Sequence, residues 1–453
     1  MRKLLVPGLV ICSVYLIVIN HFINCPGSPL SAPASPPAGE SPTNLSHLLF
    51  GVVSSAESWR ARCPLVEAWW LPNVTRGFVF LDTPPAGRLL PWRPTSPPFR
   101  VSDNTSRLEQ ETNHAAPIMV RMVHAIQEAY REAGNGVRWF VMGFDDSVFF
   151  VENWVDVLGK YDHRKYYYIG GYSETVMSNY LFSFEQAFGG GGFALSYPLA
   201  AAMAKDLDGC IRRSSQVPSH DTIVQYCVNE LGVSLTVEKG IHQIDLRGDI
   251  SGLLSAHPQS PLLSLHHLPH VRPIFPSMDR FTSVSHLINA ATNSDQSRLL
   301  QQTICYHRPK HWSFSVSWGY AVHIYEHLHP RFVLKRPLET FEPWKDLAKN
   351  PKFMFNTRSP CETPSVFFLE SMENATSPDR IVGSYVRSPP PPRPQCHLKG
   401  DGSSLRIAKV RVFSSATKLA GVERSECCDI VHEDGSTVAE VKLRACRDDE
   451  IIG

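Results

Sequence analysis

Arg138-Trp-Phe-Val-Met-Gly-Phe-Asp-Asp-Ser-Val-Phe-Phe150 is the segment from which the rest of the chain can be interpreted. The apolar run Trp139 to Met142 predicts a buried strand, and Gly143 predicts its end. Asp145 and Asp146 follow at the carboxyl end of that strand, where open α/β sheets bind their ligands. Such a carboxylate pair suits a divalent cation that holds a substrate phosphate, although a solvated turn that caps the following helix is its commoner role.

The flanking segments predict alternating strands and helices. Residues 48–53 have the composition of a buried strand, and residues 114–133 carry apolar side chains at helical spacing. This alternation predicts a mostly parallel sheet that is covered on both faces. We therefore expect an α/β domain at residues 47–275. Residues 276–453 contain short predicted strands between Pro-rich or polar loops, which indicates a smaller β-rich accessory region without a catalytic constellation.

The beginning of the chain predicts a membrane anchor. Two basic residues precede the apolar residues 4–23, which are numerous enough to span a bilayer. No further Lys or Arg occurs before Arg60, and this asymmetry predicts that residues 1–3 are cytosolic and the rest of the chain luminal. A cleaved signal peptide is the alternative. The Pro-, Ser- and Ala-rich residues 24–46 predict an extended stem.

Composition agrees with a luminal protein. The 44 basic and 43 acidic residues balance, so the charge does not suggest a partner nucleic acid. Cysteines after Cys25 are candidates for disulfides in an oxidising compartment, but their pairing cannot be deduced from sequence. Triplets that could accept an N-linked glycan begin at Asn44, Asn73, Asn104 and Asn374.

Three further groups of residues are candidates for a site with the two aspartates. The run Gly189 to Gly192 would let the backbone approach a ligand, although an ordinary flexible loop is an equal interpretation. Asp221 lies at the start of a predicted helix, where capping is the common role and where the helix dipole would keep a general base ionised. His266 and His267 belong to the densest histidine cluster. Because adjacent strand residues point to opposite faces, at most one of them should reach a given site.

These motifs, in this order, resemble the Fringe-related plant proteins of the DUF604 class, which are β-1,3-glycosyltransferase-like proteins of glycosyltransferase family 31. The resemblance covers about residues 47–450. It rests on shared runs that include Arg138-Trp-Phe-Val-Met-Gly, Gly189-Gly-Gly-Gly-Phe-Ala-Leu-Ser-Tyr-Pro-Leu-Ala200, Ser264-Leu-His-His-Leu, Trp312-Ser-Phe-Ser-Val-Ser-Trp-Gly-Tyr and Cys427-Cys-Asp. It implies a GT-A, Rossmann-like fold in a type II Golgi membrane protein. The implied activity is inverting, metal-assisted transfer from a UDP-sugar to a glycan or glycoprotein acceptor in a β-1,3 linkage.

The resemblance also implies a role for each candidate residue. The expected Mn²⁺ ligands are Asp146 and His267, with His266 as the alternative to His267. The expected donor contacts are Asp145, Gly190 and Gly191. The expected general base, which takes the proton from the acceptor hydroxyl, is Asp221.

Two positions depart from the family pattern. Phe144 stands where the family has the first acid of its acidic motif, and His220 stands where it has the acid before the base. Losing a carboxylate beside the metal lowers the negative charge of the site and should weaken cation or donor binding. The alternative function is therefore a catalytically weakened or inactive relative that binds glycans or acts as a scaffold. A metal-dependent hydrolase is a remote third hypothesis, which rests only on the acids and the histidine cluster.

Overall fold

The computed structural model describes residues 41–112, 117–217, 219–292, 296–343, 363–375, 380–389, 403–419 and 424–452. Residues 42–159 and 163–453 form one compact unit, and residues 1–41 and 160–162 form another. We describe the first of these units. The predicted anchor, residues 4–23, and residues 24–40 of the predicted stem lie outside the described residues. Within the described ranges, no helix is both long and apolar enough to cross a membrane.

The order of elements along the chain is mixed α/β and then β-rich. The strands are β1 (Leu48–Val53), β2 (Gly77–Leu81), β3 (Phe99–Val101), β4 (Trp139–Phe144), β5 (Val148–Phe149), β6 (Tyr168–Gly170), β7 (Phe193–Ser196), β8 (Leu235–Val237), β9 (Ile241–His242), β10 (Leu246–Gly248), β11 (Ser264–Leu265), β12 (Gln302–His307), β13 (Trp312–Ser317), β14 (Ala321–Tyr325), β15 (Phe341–Pro343), β16 (Ser365–Asn374), β17 (Arg380–Arg387), β18 (Lys409–Ser415), β19 (Cys427–Val431) and β20 (Val438–Arg444). The helices are Ala56–Glu67, Ser106–Thr112, Pro117–Arg131, Val151–Leu158, Val176–Leu181, Tyr197–Ala204, Leu207–Arg213, His220–Glu230, Ser251–Leu254, Arg280–Thr292 and Arg331–Leu334.

A seven-stranded sheet with the order β3-β2-β1-β4-β7-β6-β8 forms the first half of the fold. Its strand pairs are parallel except where β7 pairs with β4 and β6. The chain adds β2 and β3 on one side of β1 and then returns to place β4 on the other side. Ligands of open α/β sheets bind outside the carboxyl ends of the strands at such a reversal. The predicted mostly parallel sheet of a Rossmann-like fold is therefore confirmed.

Burial explains why these segments form the sheet. All six residues of β1 are buried, as expected of a central strand that is covered on both faces. The helix Pro117–Arg131 packs on the sheet through apolar side chains at helical spacing, among them Val120, Val123 and Ile126. The prediction of this helix over residues 114–133 is confirmed for Pro117–Arg131, and residues 114–116 lie outside the described residues.

One strand boundary differs from the prediction. β4 continues through Gly143 and ends at Phe144, which is aligned with Val53 of β1. Gly143 lacks a side chain because there is no room for one: a Cβ atom here would lie 2.6 Å from the ring of Phe149 and 2.9 Å from the Ser147 hydroxyl. Gly143 is therefore required by the close packing of Phe149 and Ser147 against it, and it does not end the strand.

A three-stranded sheet, in the order β5-β11-β9, brings two distant parts of the chain together. β5 follows the Asp145–Asp146 turn directly, and β11 pairs antiparallel with it through Leu265 and Val148. This short ladder places the residue after β11, His266, beside the turn that precedes β5.

The second half of the unit is an eight-stranded sheet in the order β12-β13-β14-β16-β17-β18-β20-β19. It is antiparallel except for the pair β18 and β20. A disulfide between Cys305 and Cys428 links β12, the first strand in this order, to β19, the last. The expected β-rich region is present. The division of the chain at residues 275 and 276 stays a prediction, because both large sheets belong to the same compact unit.

Candidate active site

A pocket of about 440 Å³ lies beyond the carboxyl ends of β1 and β4. Its walls include most of the predicted site residues, namely Asp145, Asp146, Gly190, Asp221, His266 and His267. Gly191 is not among the described residues that line it. Its N–H donates to Gln243 Oε1 and its carbonyl accepts from Ser264 Oγ, so it lies behind the wall. The roles assigned to all seven residues stay predictions.

The turn that carries the two aspartates is fixed by Ser147. The Ser147 hydroxyl accepts a 2.9 Å hydrogen bond from the N–H of Phe144 and donates a 2.6 Å bond to the carbonyl of Gly190. The commoner role of an Asp-Asp pair, capping the next helix, does not apply here. The residue at the cap of the helix Val151–Leu158 is Phe150, and the first N–H groups of that helix donate to Gln296 Oε1 instead of to either aspartate.

Asp145 accepts hydrogen bonds from the residue after β1 and from two residues of the helix Ala56–Glu67. Its carboxylate accepts a 2.7 Å hydrogen bond from Ser54 Oγ, a further bond from Ser58 Oγ and a 2.9 Å bond from Arg62 Nη1. Sequence reasoning missed these three residues. The spacing of four would have placed Ser58 and Arg62 on one helical face, but nothing local in the sequence shows that this face meets Asp145.

Asp146 is buried between His266 and Arg62. Its Oδ1 lies 3.0 Å from Nε2 of His266, and its Oδ2 lies 3.2 Å from Nη1 of Arg62. Burial by itself would raise the pKa of Asp146, but His266 and Arg62 outweigh burial and hold this pKa well below its usual range. Asp146 is therefore an anion at neutral pH.

Both histidines reach the pocket, so the expectation that only one would do so is wrong. β11 ends at Leu265, and His267 adopts a left-handed backbone with φ of 55°, which ends the alternation of a strand. The two imidazole rings lie 3.7 Å apart between centroids. Burial alone would lower the pKa of His266, yet Asp146 raises it, whereas burial and the adjacent His266 lower the pKa of His267.

Asp146, His266 and His267 are the kinds of ligand that a divalent cation uses, but within the described residues their donor atoms do not form a three-residue cluster close enough to hold an ion. Nδ1 of His266 donates to the carbonyl of Gln243 and Nδ1 of His267 donates to the carbonyl of Ile244, each at 3.2 Å. Metal-binding histidines are commonly held this way, with one ring nitrogen on a carbonyl and the other on the metal. His266 directs its Nε2 at Asp146. Arg62 donates to the same carboxylate, so a bound cation and Arg62 would share Asp146.

The glycine run allows the backbone to pass close to these side chains. A Cβ atom on Gly190 would lie 2.6 Å from His266 Nε2 and even closer to other atoms of that ring. A Cβ atom on Gly189 would lie 2.5 Å from Asp221 Oδ1. The backbone of the glycine run therefore lies close to His266 and Asp221 of the protein itself.

Asp221 is the second residue of the helix His220–Glu230 and is only 8% exposed. The helix is capped by Ser219, whose side chain accepts from the N–H of Thr222, so capping is not the role of Asp221. The Asp221 carboxylate instead accepts a 2.9 Å hydrogen bond from the N–H of Gly189 and faces the pocket.

Comparison with known proteins identifies the family. The family model described as "Protein of unknown function, DUF604" matches residues 178–428, which is more than half of the chain. The chain belongs to the DUF604 family. A second family model, described as "Fringe-like", matches residues 43–259 of this DUF604 protein, and these residues include the whole pocket apart from its histidines after β11. The Fringe-like match supports a glycosyltransferase and is consistent with glycosyltransferase family 31.

Other comparisons add little. No curated protein matches this DUF604 protein. Among solved structures, the chain is similar to the crystal structure of mouse xyloside xylosyltransferase 1 in its apo form. The identity is 10% and the TM-score 0.29, and the match covers 42% of this chain and 84% of the mouse chain. A TM-score of this size carries no argument about fold or function.

The two departures from the family pattern lie against each other. The ring of Phe144 meets the imidazole of His220 edge to face, with centroids 5.1 Å apart and an interplanar angle of 74°. His220 Nε2 is also 2.9 Å from Asp221 Oδ1. In this DUF604 protein, an aromatic pair therefore lines the pocket next to the expected base.

Proposed function

We propose that this protein is an inverting glycosyltransferase that moves a sugar from a UDP-sugar to a hydroxyl of a glycan or glycoprotein in a β-1,3 linkage. One observation carries the proposal. A buried carboxylate that can act as a base, Asp221, borders the same pocket as the anionic pair Asp145 and Asp146. Transfer from a nucleotide sugar needs a base for the acceptor and a charged site for the leaving diphosphate.

Asp221 is suited to accept the proton of the acceptor hydroxyl. The Gly189 N–H fixes the Asp221 Oδ1 atom. As the acceptor oxygen attacks the anomeric carbon, its proton passes to the carboxylate while the bond from that carbon to the diphosphate oxygen breaks. A single displacement from the face opposite the leaving group inverts the anomeric configuration.

The other carboxylates hold and orient the donor. Asp145, held by Ser54, Ser58 and Arg62, has a fixed orientation for a donor hydroxyl or phosphate contact. Asp146, together with His266 or His267, would hold Mn²⁺, which when bound neutralises charge that develops on the leaving UDP. Arg62 adds a permanent positive charge at the same carboxylates.

The alternative function is glycan binding without turnover. The contact between Phe144 and His220 favours it, because both positions carry a carboxylate in the family pattern and neither does here. If the missing acid limits the site, the Phe144→Asp variant should bind UDP more tightly than the native chain in the presence of Mn²⁺. Unchanged or weaker binding by calorimetry would show that the site accommodates Phe144.

The decisive experiment measures UDP release by the full-length chain from a panel of UDP-sugars with Mn²⁺ and a glycan acceptor. We expect release with one donor, loss of release on chelation and recovery when Mn²⁺ is returned. Asp221→Asn should lose at least about a hundredfold in rate, which is the usual contribution of a general base. The matched control is Asp434→Asn, which removes an exposed carboxylate in the turn between β19 and β20. No release with any donor, or equal release by Asp221→Asn, would reject the catalytic proposal in favour of binding.

We also propose that the folded unit lies in the Golgi lumen, with residues 4–23 as its anchor. Disulfides support an oxidising compartment, and the described residues contain Cys210–Cys227, Cys305–Cys428 and Cys427–Cys446. Protease protection of the chain in intact microsomes tests the orientation. Digestion of the folded unit before the membrane is opened would contradict it.

A further inference from the structure

Arg121 is a buried arginine whose charge is not neutralised by a direct contact. It lies on the helix Pro117–Arg131 and is 7% exposed. Its Nη1 makes one weak 3.4 Å contact with the carbonyl of Phe80. Among the described residues, no hydrogen bond satisfies Nη2, and no carboxylate forms an ion pair with Arg121.

Another buried arginine of the same chain shows how such a group is normally accommodated. Arg298 is 3% exposed, and its guanidinium binds both carboxylate oxygens of Glu426 at 3.1 and 3.2 Å. It also donates to the carbonyls of Ser415 and Thr417 at 3.1 and 2.7 Å. Buried charged donors without partners are costly and rare in native proteins. The contrast indicates that Arg121 takes its partner from outside the described part of the chain.

Arg121 stands in the wall between two pockets. One is the pocket of Asp145 and Asp146, and the other, of about 420 Å³, lies beyond the carboxyl ends of β1, β2 and β3. Ser55 and Arg121 line both of them. A ligand that extends from one pocket into the other would therefore pass the guanidinium.

The second pocket differs chemically from its neighbour. It is lined by Asp82, Asp103 and Glu109, which are hydrogen-bond acceptors when ionised. The hydroxyl of Ser102 also lines it and is a buried oxygen without a hydrogen-bond partner among the described residues. Carboxylates and a hydroxyl suit the hydroxyl groups of a sugar and repel an anion. The anionic part of a ligand would consequently lie at Arg121.

We propose that Arg121 binds an oxyanion of a ligand whose hydroxyl-bearing part occupies the second pocket. The oxyanion is either the diphosphate of the donor or the carboxylate of an acidic sugar. Both offer oxygens that accept the paired N–H groups of a guanidinium. The inference deepens the proposed function and rests on it where the ligand is taken to be the donor.

Calorimetry on the full-length chain tests the inference with inorganic pyrophosphate, UDP-glucose and UDP-glucuronate as probes, each in the presence of Mn²⁺. The variants are Arg121→Gln, which removes the charge, and Arg121→Lys, which keeps it. The matched control, Arg60→Gln, removes an exposed arginine from the helix Ala56–Glu67. We expect Arg121→Gln to weaken binding about tenfold or more, which corresponds to about 1.4 kcal/mol. We expect a smaller loss for Arg121→Lys and none for Arg60→Gln.

Thermal unfolding without ligand separates binding from a structural role. An arginine that stabilises the fold would lower the unfolding midpoint when replaced, whereas an unpaired buried cation should leave the midpoint equal or higher in Arg121→Gln. Equal losses for UDP-glucose and UDP-glucuronate would identify the diphosphate as the partner, and a loss confined to UDP-glucuronate would identify the sugar carboxylate.

The inference is overturned if Arg121→Gln binds all three probes as the native chain does, if the native chain binds none of them, or if Arg121→Gln and Arg121→Lys both unfold at lower temperature without a change in binding. Failure of the proposed function looks different. In that case pyrophosphate binding would still depend on Arg121, although no UDP-sugar would support UDP release.

Discussion

Replacing Gly190 by alanine should disturb the pocket through His266. The Cβ atom of an alanine here would lie 2.6 Å from His266 Nε2, whereas ordinary contact begins at 3.4 Å. The ring must therefore move by at least the 0.8 Å difference. His266 is held by Asp146 on Nε2 and by the carbonyl of Gln243 on Nδ1, so a shift of this size loses one or both contacts.

The expected cost is that of an overpacked core, about 1–3 kcal/mol of the free energy of unfolding. Thermal unfolding should register this cost as a decrease of at most roughly 2–4 °C in the midpoint per kcal/mol. Mn²⁺-dependent binding of UDP should weaken as well, since His266 no longer faces Asp146 in the native geometry. Calorimetry measures this loss.

Gly159→Ala is the matched control. Gly159 is exposed at the end of the helix Val151–Leu158, with a right-handed backbone at φ of −63°, and a Cβ atom there would come no closer than 3.1 Å to another atom, the carbonyl oxygen of Val155. It should change neither the midpoint nor UDP binding. If Gly190→Ala behaved like this control in both measurements, the space around His266 would be larger than the structure indicates, and the explanation of the glycine run would fail.

Four other predictions concern the fold. Ser147→Ala should lower the free energy of unfolding by about 1–3 kcal/mol, because it leaves two buried backbone groups without their partner; a loss within the error of chemical denaturation would contradict this. Burial raises the pKa of the Cys63 thiol, so Cys63 should react with alkylating agents only after denaturation, and labelling of the native protein would count against its burial. Peptide mapping of the same non-reduced sample should recover the pairs Cys210–Cys227, Cys305–Cys428 and Cys427–Cys446. Burial alone would lower the pKa of His124, but Glu128, Asp208 and Asp103 together outweigh burial and raise it, so protonation stabilises the fold. That contribution is complete below the unfolded-state pKa near 6.5 and is lost as the pH rises through the higher folded-state pKa. Across that interval the native chain should lose more stability than His124→Gln, and identical pH profiles for the two proteins would show that the pair contributes nothing.

The elements that were predictable from sequence are those whose signal is local. An apolar run identifies β4, and helical spacing identifies the helix Pro117–Arg131. Gly143 misled the prediction of where β4 ends, because its role comes from the packing of Phe149 and Ser147 against it. A glycine required by neighbours in space and a glycine that ends a strand look the same in a sequence.

The site was predictable in part for the same reason. The resemblance supplied positions that the fold brings to one pocket, but partners that come from elsewhere in the chain were missed. Arg62 approaches Asp145 only because β1 and β4 are adjacent, and this adjacency is a property of strand order. His267 enters the pocket because of a left-handed residue after a two-residue strand, which no periodicity predicts.

Phe144 and His220, the two departures from the family pattern, are in contact with each other, so the two substitutions depend on each other. Carboxylates at both positions, this close in a buried pocket, would repel each other unless a cation lay near them. An aromatic ring packed against an imidazole needs no nearby cation. Once one of the two acids has been replaced, the other can therefore be replaced without leaving a cation unbalanced. The remaining acids, Asp145 and Asp146, already have the charge of Arg62 beside them. The negative charge that a divalent cation must balance is consequently smaller here than in the family pattern. For this reason Mn²⁺ should strengthen UDP binding less in this protein than it would at a site with three adjacent acids. This expectation holds even if Asp221 remains an effective base.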